Sequence, residues 1–393
     1  MNRFDHPKGE CDVALMNPPF PHRNTDIPPQ AFVERALEAL KTRGKLAVIL
    51  PTSMIVKKSI GKWREKLLLN NSLVAVIQLP DELFQPYATA TTSVILLEKG
   101  VPHSLARKTV FTRIQYDGLT LKKGTRVIRS DKKNQLAAAI DAILNKKTLA
   151  GFSGVAHISG RSEWSPGAYI PAAIPSEDEL KRSIDELLRR LVSFYVRYAD
   201  EVVKLRAAIV KEEMTVSDYR EMLSPKRLKN AKTLPRTAGT IGEHFDLFYG
   251  QKELHSRDGI PPGEALVVSP TEGYNGCYGW LTFKQLIKSP FVTVAQTGSI
   301  GEAFVQLESC GVNDDCLILL PKEGKELPLA CYFIAAAIIR LERWRFSYGR
   351  KLTPARICSF QMKRMPELEA WVSEKLSHWK KVIDGSLDGY TTD

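Results

Sequence analysis

The stretch DVALMNPPF, residues 12–20, decides the fold class that the sequence predicts. Residues 12–16 have the pattern of a β-strand. Pro18 and Pro19 end it, because a proline has no amide hydrogen to donate to a neighbouring strand. Asn-Pro also favours an ordinary turn. In an open α/β sheet, however, a turn of this kind lies at the carboxyl edge of the sheet, where such folds bind ligands.

Strand and helix patterns alternate after this stretch up to about residue 100. The pattern continues through a helix at 30–44 that ends at Gly44, a strand at 45–51, a helix at 61–71, and strands at 73–80 and 89–100. The run 45–51, KLAVILP, is almost continuously apolar, as is typical of a strand buried on both faces. This alternation predicts an α/β fold with a largely parallel sheet. Because the first strand begins about a dozen residues into the chain, we expect half of a doubly wound, Rossmann-like sheet.

The composition predicts a globular protein with a polyanionic partner. The chain has 393 residues, enough for two or three domains, of which 44% are hydrophobic and 25% charged. Fifty-six Lys and Arg against 44 Asp and Glu give a formal net charge of +12. This excess favours nucleic acid first and an acidic membrane second. The longest apolar run, residues 327–339, ends at Arg340 and is shorter than the roughly 18 residues that a membrane span requires.

The cysteines and the amino terminus indicate the compartment. Six cysteines are scattered without a C-x-x-C pair, which predicts a reduced chain without a zinc site or other metal site. No signal-peptide pattern is present. We therefore expect a cytoplasmic protein that does not associate with membranes.

The second half of the chain has a different sequence pattern. Residues 177–214 have a helical pattern with apolar residues at regular spacing; such a helix either packs on its own domain or docks another subunit. Residues 222–236 hold five basic residues and no acidic residue, which predicts an exposed linker. From about residue 238, short glycine-punctuated strands and one apolar helix indicate an α+β domain. The predicted division is 1–175, 176–237 and 238–393.

The amino-terminal pattern resembles the catalytic half of adenine-N6 DNA methyltransferases, of the kind found in the modification subunits of type I restriction–modification systems. The resemblance is carried, in order and spacing, by NPPF at 17–20, GKLAVILPTSM at 44–54 and the segment 64–100. It implies methyl transfer from S-adenosylmethionine to an adenine flipped out of double-stranded DNA.

The resemblance also implies a catalytic site formed by Asn17, Pro18, Pro19 and Phe20. The adenine amino group is a poor nucleophile because its lone pair is conjugated with the ring, so two acceptors must hold its N–H groups. The side chain of Asn17 and the backbone carbonyl of Pro18 supply them, and the fixed φ of proline preorganises the second. Phe20 would stack on the base and Phe84 would form a second wall. The alternative for Phe84 is a core residue that ends a strand.

Complete members of this family carry a glycine-rich loop and an acidic residue for the methyl donor ahead of the Asn-Pro-Pro-aromatic motif. Here Gly9 is the one glycine before Asn17. We therefore expect a second methyltransferase subunit, which carries the glycine-rich motif, binds most of the donor and completes the sheet beside residues 12–17. The helix at 177–214 is a second expected dock for it. Further restriction–modification subunits are possible partners.

Two alternatives to this interpretation stay open. The first is a DNA-binding specificity or regulatory subunit with an inactive methyltransferase remnant. The second is methylation of cytosine at N4, which uses similar motifs.

Residues 240–366 resemble the target-recognition domain of specificity subunits, through the segments 292–306, 312–321 and 346–357. In residues 341–364, seven Lys and Arg face one Glu, with aromatic residues between them; basic residues neutralise phosphates, and Arg and aromatic residues reach bases. A solvated basic face is the alternative. The predicted DNA-binding residues are Arg345, Tyr348, Arg350, Lys351 and Arg356, with Lys252, Arg257, Tyr274 and Asn275 on glycine-flanked loops.

Overall fold

The computed structural model describes residues 7–21, 23, 25–85, 91–128, 131, 133–209, 233–347 and 349–388. The chain divides into two compact units. Unit 1 comprises Met1–Ala173 with Ser347–Arg350, and unit 2 comprises Ile174–Phe346 with Lys351–Asp393. Among the described residues, no helix combines the length and the apolar character needed to cross a lipid bilayer.

Unit 1 is built on a six-stranded sheet with the strand order β1-β2-β4-β3-β5-β8. The strands are β1 (Cys11–Met16), β2 (Leu40–Pro51), β3 (Asn71–Gln78), β4 (Thr92–Lys99), β5 (Thr109–Arg113) and β8 (Ser153–Ala156). The helices are α1 (Pro29–Ala39), α2 (Thr52–Val56), α3 (Gly61–Asn70), α4 (Leu136–Leu144) and α5 (Pro166–Tyr169). Strands β6 (Leu119–Lys122) and β7 (Thr125–Ile128) form a separate two-stranded hairpin. The α/β class predicted from the sequence is confirmed.

The prediction of a largely parallel sheet is wrong. Among the described strands, β1–β2 and β3–β5 are parallel pairs, whereas β4 lies antiparallel between β2 and β3, and β8 is antiparallel to β5. Parallel strands need a crossover of a dozen or more residues that usually contains a helix. No helix lies in the described part of the connection from β3 to β4, residues 79–85 and 91, and the chain returns as an antiparallel strand.

The helix predicted at 30–44 ends early, since α1 stops at Ala39. Leu40 is already extended, with φ −79° and ψ 148°, and pairs with Cys11 of β1. Gly44 therefore lies within β2 and does not end a helix. A Cβ atom at Gly44 would stand 2.9 Å from the Lys41 carbonyl oxygen, so the close approach of the backbone requires glycine there.

Unit 2 contains a four-stranded antiparallel sheet, a three-stranded mixed sheet and six helices with described bounds. The first sheet has the order β13-β12-β15-β9 and the second the order β11-β10-β14. The strands are β9 (Phe245–Tyr249), β10 (Pro262–Val268), β11 (Cys277–Leu281), β12 (Phe291–Ala295), β13 (Ala303–Gln306), β14 (Gly311–Val312) and β15 (Cys316–Pro321). The helices are α6 (Glu177–Arg197), α7 (Ala199–Ile209), α8 (Ile241–His244), α9 (Leu329–Leu341), α10 (Pro354–Cys358) and α11 (Pro366–Leu387).

The single helix predicted at 177–214 is two helices, because Tyr198 leaves the helical conformation with φ −121° and ψ 35°. A capping box between Ser176 and Glu179 starts α6, and such caps contribute about 1 kcal/mol. The apolar faces of α6 and α7 are buried in the core of unit 2. These faces therefore pack on their own unit. Residues 210–232, which include most of the predicted linker, lie outside the described residues.

Candidate functional site

A pocket of about 660 Å³ lies at the carboxyl end of β1. Three segments of unit 1 line it: residues 17–20, which follow β1, residues 83–85, which follow β3, and residues 124–126 of the β6–β7 hairpin. The sequence predicted the first segment and Phe84 as site residues, and the structure brings them together. A pocket of this volume is of the size that accepts a small molecule or a single nucleobase.

The Asn-Pro-Pro turn presents one free amide to this pocket. Asn17 is exposed, whereas Pro18 directly after it is buried. None of the described residues forms a hydrogen bond with the Asn17 side chain. An amide of this kind offers one carbonyl acceptor and two N–H donors to a ligand. The turn thus places a polar side chain in the pocket without using its hydrogen-bonding capacity within the fold.

Phe20 and Phe84 form one aromatic surface of the pocket. Their ring centroids are 5.3 Å apart and their planes meet at 69°, which is an edge-to-face contact. The sequence predicted two walls that enclose a base between them. Rings in edge-to-face contact leave no slot for a third ring, so a base stacks on one of them unless a ring turns. The two rings are therefore close to each other, as the sequence predicted, but they do not enclose a base between them in this conformation.

The β6–β7 hairpin is the part of the pocket that sequence reasoning missed. Lys123 and Gly124 both have positive φ, 49° and 81°, which is the conformation of a two-residue type I′ turn. Arg126 donates a hydrogen bond from Nη2 to Asp117 Oδ1 at 2.8 Å, and the same nitrogen lies 3.9 Å from Glu82 Oε1. The available signal was the glycine between two short strand patterns in residues 119–128.

A family comparison covers the part of the chain that contains this pocket. Residues 8–163 match the family model described as N-6 DNA Methylase. The matched range includes the three segments that line the pocket.

Over residues 8–163, this chain is similar to the N-6 DNA methylase family.

Two curated relatives agree with this assignment, which confirms the resemblance inferred from the sequence. The chain is 26% identical over 183 residues to the type II restriction enzyme and methyltransferase RM.BcgI of Heyndrickxia coagulans, covering 44% of this chain and 29% of that protein. It is 27% identical over 107 residues to the type I restriction enzyme EcoEI methylase subunit of Escherichia coli, covering 24% and 22%. The chain thus spans less than a third of the length of these relatives.

The chain is also similar to solved structures. The type I restriction–modification methyltransferase subunit of Streptococcus thermophilus superposes with a TM-score of 0.34 at 19% identity. The superposition covers 42% of this chain and 39% of the other.

The N-6 DNA methylase family implies S-adenosylmethionine as methyl donor. The described residues of this region do not by themselves fit that molecule. Among the described residues, the lining of the pocket contains no carboxylate that could bind the ribose hydroxyls of the donor.

The basic stretch 341–364 is largely ion-paired within the fold. Arg345 is buried, forms an ion pair with Glu342 and lies 4.4 Å from the centroid of the Trp344 ring. In unit 1, Arg350 is buried and its Nε lies 3.0 Å from Glu163 Oε1. These two arginines were predicted to contact DNA, and in this conformation their side chains are not presented to it. The carboxylate that pairs with Arg350 was invisible in a composition count of this stretch because Glu163 lies far away in sequence, whereas Glu342, which pairs with Arg345, was the one Glu counted there.

The remaining predicted residues of this stretch differ among themselves. Lys351 is exposed, and Arg356 is half-buried and donates from Nη1 to the Lys351 carbonyl oxygen. Tyr348 lies outside the described residues. Of the five predictions here, Lys351 has the accessibility that a phosphate contact requires.

The predicted DNA-binding residues on the glycine-flanked loops of unit 2 also differ in exposure. Lys252 and Tyr274 are exposed, and Arg257 is half-buried with its guanidinium 4.6 Å from the centroid of the Tyr278 ring. On the same surface, a hydrogen bond to Asp314 raises the pKa of His255. Asn275 points inward and donates to the Val305 carbonyl oxygen at 2.9 Å. The prediction of Asn275 as a DNA contact is therefore not compatible with this conformation.

Asn275 also shows which signal was misread. It has φ 57° and precedes Gly276, and Asn-Gly is a common pair at left-handed turn positions. The residue serves the turn and the core of unit 2.

Proposed function

We propose that the chain is the catalytic and DNA-recognition part of an adenine-N6 DNA methyltransferase of a restriction–modification system. One observation carries the proposal: the pocket collects Asn17, Pro18 and Phe20 with Phe84 inside the range that matches the family. Residues 1–175 then hold the catalytic half, and residues 238–393 hold a target-recognition domain. Double-stranded DNA is the substrate.

The pocket residues orient the adenine amino group for reaction. The Asn17 side-chain oxygen and the Pro18 carbonyl oxygen each accept one N–H of the amine, which turns its lone pair out of conjugation with the ring. Because Pro18 is buried with a fixed φ, its carbonyl needs little reorganisation. Phe20 or Phe84 stacks on the flipped base. S-adenosylmethionine, when bound, supplies an electrophilic methyl group; the product ammonium loses its proton to water without a dedicated base.

The donor site is completed by a second methyltransferase subunit that carries the glycine-rich motif. The edge of the sheet at β1 supports this part of the proposal. Val13 and Leu15 are 59% and 80% exposed, and they share one face of β1 because side chains two residues apart point the same way. Strands of doubly wound sheets are normally covered on both faces. A partner strand beside β1 and a partner helix over Leu15 would bury this surface.

Unit 2 supplies DNA contacts in this proposal. The net charge of +12 favours a polyanion. The side chains of Lys351 and Lys252 are exposed, and that of Arg257 is half-buried. Arg345 and Arg350, in contrast, are buried and form ion pairs within the fold. The exposed residues contact phosphates, and Tyr274 contacts a base edge.

The test is methylation by the protein together with its natural partner subunit. DNA from cells that produce both should carry N6-methyladenine at one sequence, detected by single-molecule sequencing. Asn17→Ala should lower methylation by about 100- to 1,000-fold, the loss typical of removing one preorganised hydrogen-bonding group, and should leave DNA affinity intact. Asn70→Ala, which changes an exposed asparagine of α3 away from the pocket, is the matched control.

The alternatives give different results in the same experiment. An inactive remnant in a specificity subunit predicts DNA binding without Asn17-dependent methylation. Methylation of cytosine at N4 predicts modified cytosine in the sequenced DNA. Undiminished methylation by Asn17→Ala would contradict the assignment of the site.

A further inference from the structure

We infer that the β6–β7 hairpin, residues 119–128, holds the DNA backbone beside the flipped base through Lys122 and Lys123. The inference rests on the proposed function and extends it, because these lysines lie in unit 1 and outside every DNA-binding residue named from the sequence. The ligands are the two phosphates that flank the nucleotide whose base enters the pocket. The hairpin thereby positions the target nucleotide.

The first argument is the position of the hairpin tip. Gly124, Thr125 and Arg126 line the base pocket, and Lys122 and Lys123 directly precede them. A flipped nucleotide stays covalently attached to a phosphate on each side, so these phosphates lie at the mouth of the pocket that holds its base. A lysine beside residues of the pocket wall is therefore within reach of the backbone.

The second argument is that the lysines carry the free charge of the hairpin. Arg126 is compensated by Asp117 at 2.8 Å and by Glu82 at 3.9 Å. Lys122 and Lys123 are exposed, and within the described part of the chain neither forms an ion pair. Lys is a common point-charge ligand of phosphate.

The third argument is that the hairpin is fixed to the aromatic part of the pocket. Besides its ion pair with Arg126, Glu82 accepts a hydrogen bond from the Leu121 backbone nitrogen at 3.5 Å. Glu82 lies two residues before Phe84, so one carboxylate joins the hairpin to the segment that carries the stacking ring. The type I′ turn adds a defined direction to the tip. Backbone phosphate and base are thus held by one connected group of residues.

The test uses a duplex with one mismatched adenine, because an unpaired base is cheaper to extrude and no recognition sequence is needed. The phosphates on both sides of this adenine are either natural or replaced by neutral methylphosphonates. The variant is Lys122→Thr with Lys123→Asn, since Thr suits the strand and Asn tolerates the positive φ of 49° at position 123. The control is Lys58→Ala with Lys62→Ala, which removes the same charge from exposed positions of unit 1 outside the pocket.

With natural phosphates, the hairpin variant should bind more weakly than the wild type, and its salt slope should be smaller by about 1.8, from two phosphate contacts at about 0.9 each. Neutral phosphates should weaken the wild type and the control, and should cost the hairpin variant nothing further. An equal loss in all three proteins would overturn the inference. Because binding is the readout, the result does not depend on methylation, so a failure of the hairpin contacts and a failure of the proposed methyl transfer are separate outcomes.

Discussion

The rings of Phe20 and Phe84 meet edge to face with centroids 5.3 Å apart, although 63 residues separate them in the chain. One ring follows the first strand and the other follows the third, so the sheet brings them to the same edge. The aromatic surface of the pocket is thus a product of the topology. In the proposed function it gives the base a stacking partner beside the amide of Asn17.

Replacing Phe84 by alanine should weaken base binding and leave the fold intact. Loss of one base–aromatic stack costs about 1–3 kcal/mol, so kcat/KM for DNA methylation should fall by roughly 10- to 100-fold. Phe84→Trp keeps an aromatic face and should retain most of the activity. Steady-state kinetics with the purified complex measures the difference. Equal rates for the alanine and tryptophan variants would assign Phe84 to the core and not to the base.

Leu15→Glu should disrupt the association with the proposed donor-binding subunit. Leu15 is 80% exposed on the edge strand β1, so a charge there costs this chain little stability but places an unpaired carboxylate in the partner contact. Leu105→Glu, at a side chain that is 82% exposed and not on β1, is the control. Co-purification with the partner is the measurement. Unimpaired assembly of Leu15→Glu would place the partner elsewhere.

Glu302→Gln should destabilise unit 2. The Glu302 carboxylate is 2% exposed and faces three guanidinium groups, with Arg340 Nε at 3.2 Å, Arg190 Nη1 at 3.4 Å and Arg343 in direct contact. Removing one partner of a buried ion pair leaves uncompensated charge and costs about 3–5 kcal/mol. Urea unfolding measures this loss. The exposed Glu264→Gln should change stability by less than about 0.5 kcal/mol, and a similar small effect of Glu302→Gln would contradict the prediction.

Lys351→Ala should lower DNA affinity, whereas Arg345→Ala should lower the stability of the fold. Lys351 is exposed, so its removal should lower DNA affinity and reduce the salt slope by about 0.9 without changing stability. Arg345 is buried beside Glu342 and Trp344, so its removal should lower the free energy of unfolding instead. Fluorescence anisotropy and urea unfolding measure the two quantities. A loss of DNA affinity at full stability in Arg345→Ala would return this residue to the DNA interface.

The sequence predicted those parts of the site that depend on local chemistry. Two prolines end a strand wherever they occur, so the turn at 17–20 and its place at the sheet edge follow from the residues alone. The family pattern added Phe84. The direction of β4 did not follow, because strand direction depends on the connection and not on the strand's own residues.

Long-range pairing explains what the sequence could not predict. Arg350 is neutralised by Glu163, and Arg126 by Glu82 and Asp117, and no window of sequence contains the first of these pairs. A cluster of basic residues in sequence therefore overstated the charge offered to DNA in residues 341–364. The hairpin tip, with two lysines and a glycine, offers more accessible charge than its short sequence suggested.

The structure of the protein with its partner and a duplex that contains the target adenine tests the central claim most directly. The account predicts a flipped adenine whose N6 lies about 2.7–3.2 Å from both the Asn17 side-chain oxygen and the Pro18 carbonyl oxygen. An adenine that stays stacked in the duplex, or an amine bound away from these two oxygens, would contradict it.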